Sequence, residues 1–91
     1  MFTPGQLVLC VDDNFVGGIG IEIDPKKGIV YTVRDAYWNE HWHADHIRLE
    51  EIKNPIINYI NGYHETGFSA HRFRPLNPRA LDVFHKMEEL V

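Results

Sequence analysis

The stretch GIVYTVRDAYW (residues 28–38) reads as a strand. Ile29, Tyr31 and Val33 fall on one face, and Thr32 and Arg34 fall on the other. That two-residue period, rich in β-branched and aromatic side chains, belongs to a half-buried strand. NEHWHADH (residues 39–46) follows and reads as a polar hairpin tip. HIRLEEI (residues 46–52) is the return strand, with Ile47 and Leu49 inward and Arg48 and Glu50 outward. Asn54-Pro55 ends it, because proline cannot donate to a ladder.

Upstream, QLVLCVD (residues 6–12) alternates too, Leu7, Leu9 and Val11 against Val8, Cys10 and Asp12. Pro4-Gly5 before it is a turn signal. The glycines of residues 12–28 and the cluster DPKKG predict a long bent loop closed by a tight turn. Phe15, Ile19, Ile21 and Ile23 are expected to pin that loop onto the core. Downstream, IINYINGYHETG (residues 56–67) reads as a short helical turn or a loop held by Ile56, Ile57 and Tyr59. FSAHRFR (residues 68–74) reads as a last short strand. Asn77 as N-cap, Pro78 at the first helical position and an apolar stripe of Ala80, Val83, Phe84, Met87, Leu90 and Val91 predict a helix over 78–90. Several short strands, a central hairpin and a terminal helix predict one mainly β domain over residues 1–91. The expected architecture is a small, bent, SH3-like barrel with a C-terminal α-helix.

At 91 residues the chain has room for one small core. Its 44% hydrophobic and 24% charged content is that of a globular protein. A net charge of −4 argues against a general nucleic-acid binder, which presents a basic face. No long apolar run predicts a membrane span, and MFTPGQ does not read as a secretory signal. One cysteine, Cys10, forms no internal disulfide, which fits a reducing cytoplasm.

The segments CVDD, GIVYTVRDAY, LEEI, GYHETGFSAHRFRPL and DVFHKM resemble a group of small, functionally uncharacterised proteins of bacteria and their phages. In that group a CVDD strand precedes a G-x-x-Y-T-V-R strand and an R-F-R-P segment. The likeness covers most of the chain but not the loop NFVGGIGIEIDPKK, and the group has a variable hairpin where the histidines fall here. The resemblance implies an SH3-like fold and a non-catalytic role.

His41, His43, Asp45 and His46 spell H-x-H-x-D-H, which resembles the zinc signature of the metallo-β-lactamase-type hydrolases. A catalytic zinc needs three or four convergent ligands and an open position. On a continuous strand His41, His43 and Asp45 share one face and His46 points to the other. The larger two-sheet fold that delivers the remaining ligands in those enzymes does not fit in this length. A solvated hairpin tip is therefore the favoured reading, with adventitious metal binding by His41 and His43 second and a metal-dependent hydrolase third.

Cys10 sits mid-strand beside Asp12 and Asp13, whose charges oppose a thiolate, so a structural role is expected. Asp12 and Asp13 point to opposite faces and suit loop capping better than shared metal binding. Arg72, Arg74 and Arg79 form the one basic stretch. Arg72 and Arg74 are expected to share a strand face, with Phe73 inward, and to pair with Asp12, Asp13, Glu50 or Glu51. An anion clamp, or nucleic-acid binding by these arginines and an aromatic platform, is the alternative. The rings near the loops suit a groove of the kind SH3-like barrels use for partners. The expectation is a cytoplasmic, non-enzymatic module without cofactor, monomer or homodimer. It would recognise a protein through Trp38, Trp42, Tyr63, Arg72 and Arg74.

Overall fold

The computed structural model describes residues 2–15, 20, 22–59 and 62–76. The chain is mainly β. Its strands are β1 (Leu7–Cys10), β2 (Val30–Asn39), β3 (Ala44–Leu49), β4 (Ile56–Tyr59), β5 (Gly62–Glu65), β6 (Phe68–Ser69) and β7 (Phe73–Pro75), with a 3₁₀ turn at Ala70–Arg72. The helix expected over 78–90 lies outside the described residues.

Five strands form one antiparallel sheet in the order β6-β3-β2-β1-β7, and β4 and β5 form a separate hairpin. β6 and β7 lie at opposite edges of the sheet, yet only the 3₁₀ turn separates them in the chain. In a flat sheet four strand spacings put those edges roughly 19 Å apart. Four Cα steps from Ser69 to Phe73 reach about 14 Å at most. The sheet must therefore curl until its edges approach, although no ladder joins β6 to β7 among the described residues.

The concave side of the curl is the core: Val8 and Cys10 of β1, Tyr31 and Val33 of β2, Ile47 and Leu49 of β3, with Ile52, Phe68 and Phe73. Burying a side chain of this size stabilises by about 1.5–3 kcal/mol. Between Val33 and Asp35 the β2–β3 register shifts by one residue. This bulge resets the inward alternation, so Ala36 packs against the core.

The structure revises several local expectations. Residues 56–67 hold a hairpin, not a helical turn, with Tyr59 paired to Gly62. FSAHRFR is no single strand: the 3₁₀ turn interrupts it, because the chain must cross from one sheet edge to the other. Arg72 therefore sits in the turn and shares no strand face with Arg74. Phe15 does pin the long loop, edge-on to Phe68 at 5.4 Å between ring centroids. Ile23 does not, being 62% exposed, and Ile29 lies outside the core as well. Pro25 and Asn54 hold this part of the loop instead. Pro25 is fully buried, while the buried Asn54 amide accepts from Ile23 N at 2.7 Å and donates to Ile23 O at 3.0 Å. Ile19 and Ile21 lie outside the described residues.

Candidate functional site

β1 pairs with β2 only as far as Thr32, while β2 continues to Asn39. β6 backs β3 at Ile47 and His46, so only the ends beyond the Tyr37–His46 pair, Trp38–Asn39 and Ala44–Asp45, project as a two-stranded ribbon, joined by Glu40, His41, Trp42 and His43. Two features fix this four-residue turn. The carbonyl of the buried Asn39 side chain accepts the Trp42 N–H at 3.0 Å. His43 closes the turn with φ of 48°, in the left-handed region where most side chains are crowded.

The tip carries both tryptophans of the chain. Trp38 is 50% and Trp42 is 59% exposed. Each has a histidine set edge-on to it: His43 at 6.3 Å from Trp38 and His41 at 4.9 Å from Trp42, between ring centroids. The arrangement is an aromatic knob with imidazole flanks on a stiff stem.

His46 does not belong to that knob. It sits in β3 opposite Tyr37 and Ser69 and is buried. Burial holds its pKa below the ordinary histidine value, opposed by the carbonyl of Ala44. Asp45 precedes it in the strand and therefore points to the opposite face. So H-x-H-x-D-H is split between the tip and the two faces of β3. Among the described residues no group of three or more His, Cys, Asp or Glu side chains gathers as metal ligands do.

The other proposed partner residues lie elsewhere. Tyr63, 77% exposed, stands on the β4–β5 hairpin opposite Asn58, and no ring contact joins it to Trp38 or Trp42 among the described residues. Arg72 pairs with Asp12 at 2.8 Å and covers the Phe15 ring at 4.9 Å. Arg74 on β7 folds back, its Nη1 donating to the carbonyls of His71 at 2.9 Å and Phe73 at 3.0 Å. It rims an open groove of about 420 Å³ between Phe2, Gln6, His71 and Pro75. The five residues thus divide among three places: Trp38 and Trp42 at the ribbon tip, Tyr63 on the β4–β5 hairpin, and Arg72 and Arg74 at the 3₁₀ turn and β7.

The outer face of the sheet holds a polar network that the strand pattern did not reveal. Arg34 donates to both carboxylate oxygens of Glu65 and to the carbonyls of Leu49 and Ile52. Arg48 grips Asp35 at 3.1 Å, donates to the Glu65 carbonyl and lies 4.3 Å above the Tyr37 ring. The Tyr37 hydroxyl is enclosed without a hydrogen-bond partner among the described residues, and burial pushes its pKa up. The only outward sign of this network in the sequence is the density of charge in RD (residues 34–35) and R48 beside strand residues. Cys10 is buried and bonded to the Asp12 carbonyl, and burial, aided by the Asp13 and Asp12 charges, raises its pKa. Asp12 caps Asn14 N at 2.9 Å, and Asp13 accepts from Lys27 N at 3.2 Å.

No protein-family model matches the chain, and no curated protein or solved structure matches it either. Among the described residues no helix is long and apolar enough to cross a membrane.

Proposed function

We propose that this protein is a non-enzymatic binding module that recognises a protein partner through the ribbon tip, with Trp38 and Trp42 as the anchors. The observation that carries this reading is the pair of half-exposed tryptophans on a turn held in place by Asn39 and by a left-handed His43. Exposed indole is costly in water and is the side chain most enriched at binding hot spots. A non-glycine residue in the left-handed region is retained where the surroundings require it, and here its ring braces Trp38. Tyr63, Arg72 and Arg74 lie apart from the tip and serve at most as secondary contacts.

The fold we assign to the described residues is SH3-like. The order β6-β3-β2-β1-β7, the long loop between β1 and β2 and the 3₁₀ turn before the last strand support this assignment. On that fold, and on the resemblance to small bacterial and phage proteins, we read the module as a cytoplasmic, phage-related modulator of a host protein. The test is affinity capture with matched Trp42→Ala protein. The reading requires that a protein retained by the wild type be lost from the variant while the variant's melting temperature stays within a few degrees.

A further inference from the structure

The β4–β5 hairpin stands apart from the sheet, and its edges contrast with those of β7. The β7 edge is blunted three ways. Phe73 N–H is taken by the Ala70 carbonyl, the Phe73 carbonyl by the Arg74 guanidinium, and Pro75 has no N–H. Natural sheets use such devices to prevent strand addition.

β4 has none of them along its length. Two residues connect Tyr59 to Gly62, so these two exchange the ladder bonds nearest the turn. Antiparallel alternation then turns the N–H and C=O groups of Ile57 toward β5 and those of Ile56 and Asn58 outward. No strand pairs with that outer edge among the described residues. On the β5 side Arg48 already occupies the outward carbonyl of Glu65. Ile56 is 72% exposed beside this open edge.

The occupant follows from charge. None of the 9 basic and 13 acidic residues falls within residues 54–64, NPIINYINGYH. In a chain of net charge −4, this is the surface strand on which an identical strand meets no like charge. We propose that β4 pairs edge to edge, antiparallel, with β4 of a second copy of this chain. The outward groups of Ile56 meet those of Asn58 on the other copy, and Ile57 lies opposite its own counterpart on the two-fold axis. The two hairpins merge into one four-stranded sheet, which also relieves the marginal stability of an isolated hairpin. This surface is separate from the ribbon tip, so the tip stays free for its partner.

The experiment is sedimentation velocity of wild type, Asn58→Pro, Ile56→Lys and Trp42→Ala across a concentration series up to about 1 mM, since a four-strand junction of this size is a weak interface. Proline at 58 removes an N–H that the hairpin does not use, and far-UV circular dichroism checks that the domain is intact. The expected result is a wild type and Trp42→Ala that dimerise with rising concentration, and Asn58→Pro and Ile56→Lys that sediment as monomers throughout. A wild type that remains monomeric at the top concentration overturns the proposal. So does a dimer that survives folded Asn58→Pro and Ile56→Lys, or one that Trp42→Ala abolishes.

Discussion

Arg34 of β2 and Glu65 of β5 form a two-pronged ion pair that ties the separate hairpin to the sheet. Both groups are partly screened from water, with side-chain exposures of 24% and 14%. The pair lowers the Glu65 pKa, by the hydrogen bonds from Arg34 first and its charge second. Glu65→Gln removes the charge and keeps the shape, and is expected to cost about 1.5–3 kcal/mol, the range for hydrogen bonds to charged groups. Because the folded pKa lies below the ordinary 4.5, this stability is present above that value. It is lost as pH falls through the lowered folded pKa. Urea midpoints at neutral and acid pH check both points, and the variant should show a shallower acid loss than the wild type.

Gly67 lies against the Tyr37 ring. A methyl at 67 would overlap the Tyr37 hydroxyl and stand 2.9 Å from Cζ. Gly67→Ala is therefore expected to destabilise by about 1–3 kcal/mol through overpacking. Tyr37→Phe alone removes a buried hydroxyl that has no partner among the described residues and is expected to be neutral or stabilising. The double variant should recover part of the Gly67→Ala loss, since the ring carbons remain close. Thermal denaturation of the three variants tests the relation, and equal losses in single and double variants would contradict it.

His46 predicts a second pH effect, in a different range. It is buried against Tyr37, with Arg48 on its own strand and His71 on the 3₁₀ turn as the nearby cationic groups. Its folded pKa lies below the unfolded value of 6.5. The unfolded chain thus binds a proton that the folded chain does not, and stability falls as pH drops from about 6.5 toward the folded pKa. His46→Gln should flatten that part of the pH–stability curve. An unchanged slope between pH 7 and 5 would show that another group is responsible.

The strands were legible where one face is buried and the other wet. Tyr31, Val33, Ile47 and Leu49 carry the period-two signal because they line the core and their neighbours do not. That Arg72 meets an acid was legible, but which of Asp12, Asp13, Glu50 and Glu51 was not, and Arg74 turns to backbone carbonyls instead. The hairpin at residues 56–65 was not, since Ile56, Ile57 and Tyr63 are apolar on both of its faces and no alternation survives. Arg34 lies on the outer face where the alternation put it, but its partner Glu65 was not legible, because that pairing depends on where the β4–β5 hairpin folds. The 3₁₀ turn inside FSAHRFR was not legible either, because it answers to the curl of the whole sheet. At the tip, the histidine spacing spelled a metal motif that β3 pleating pulls apart. The two tryptophans were legible as candidates, whereas their separation from Tyr63, Arg72 and Arg74 follows only from topology.

Both tryptophans of the chain sit at the ribbon tip, so intrinsic tryptophan fluorescence reports that surface and nothing else. The decisive measurement is the emission spectrum and acrylamide quenching of the wild type, alone and saturated with the protein it captures. Free protein is expected to emit as solvent-exposed indole and to be readily quenched. In the complex the emission should move to shorter wavelength and the quenching should fall, as Trp38 and Trp42 leave water. A saturated complex in which emission and quenching are unchanged would place the partner elsewhere on the domain and contradict the account.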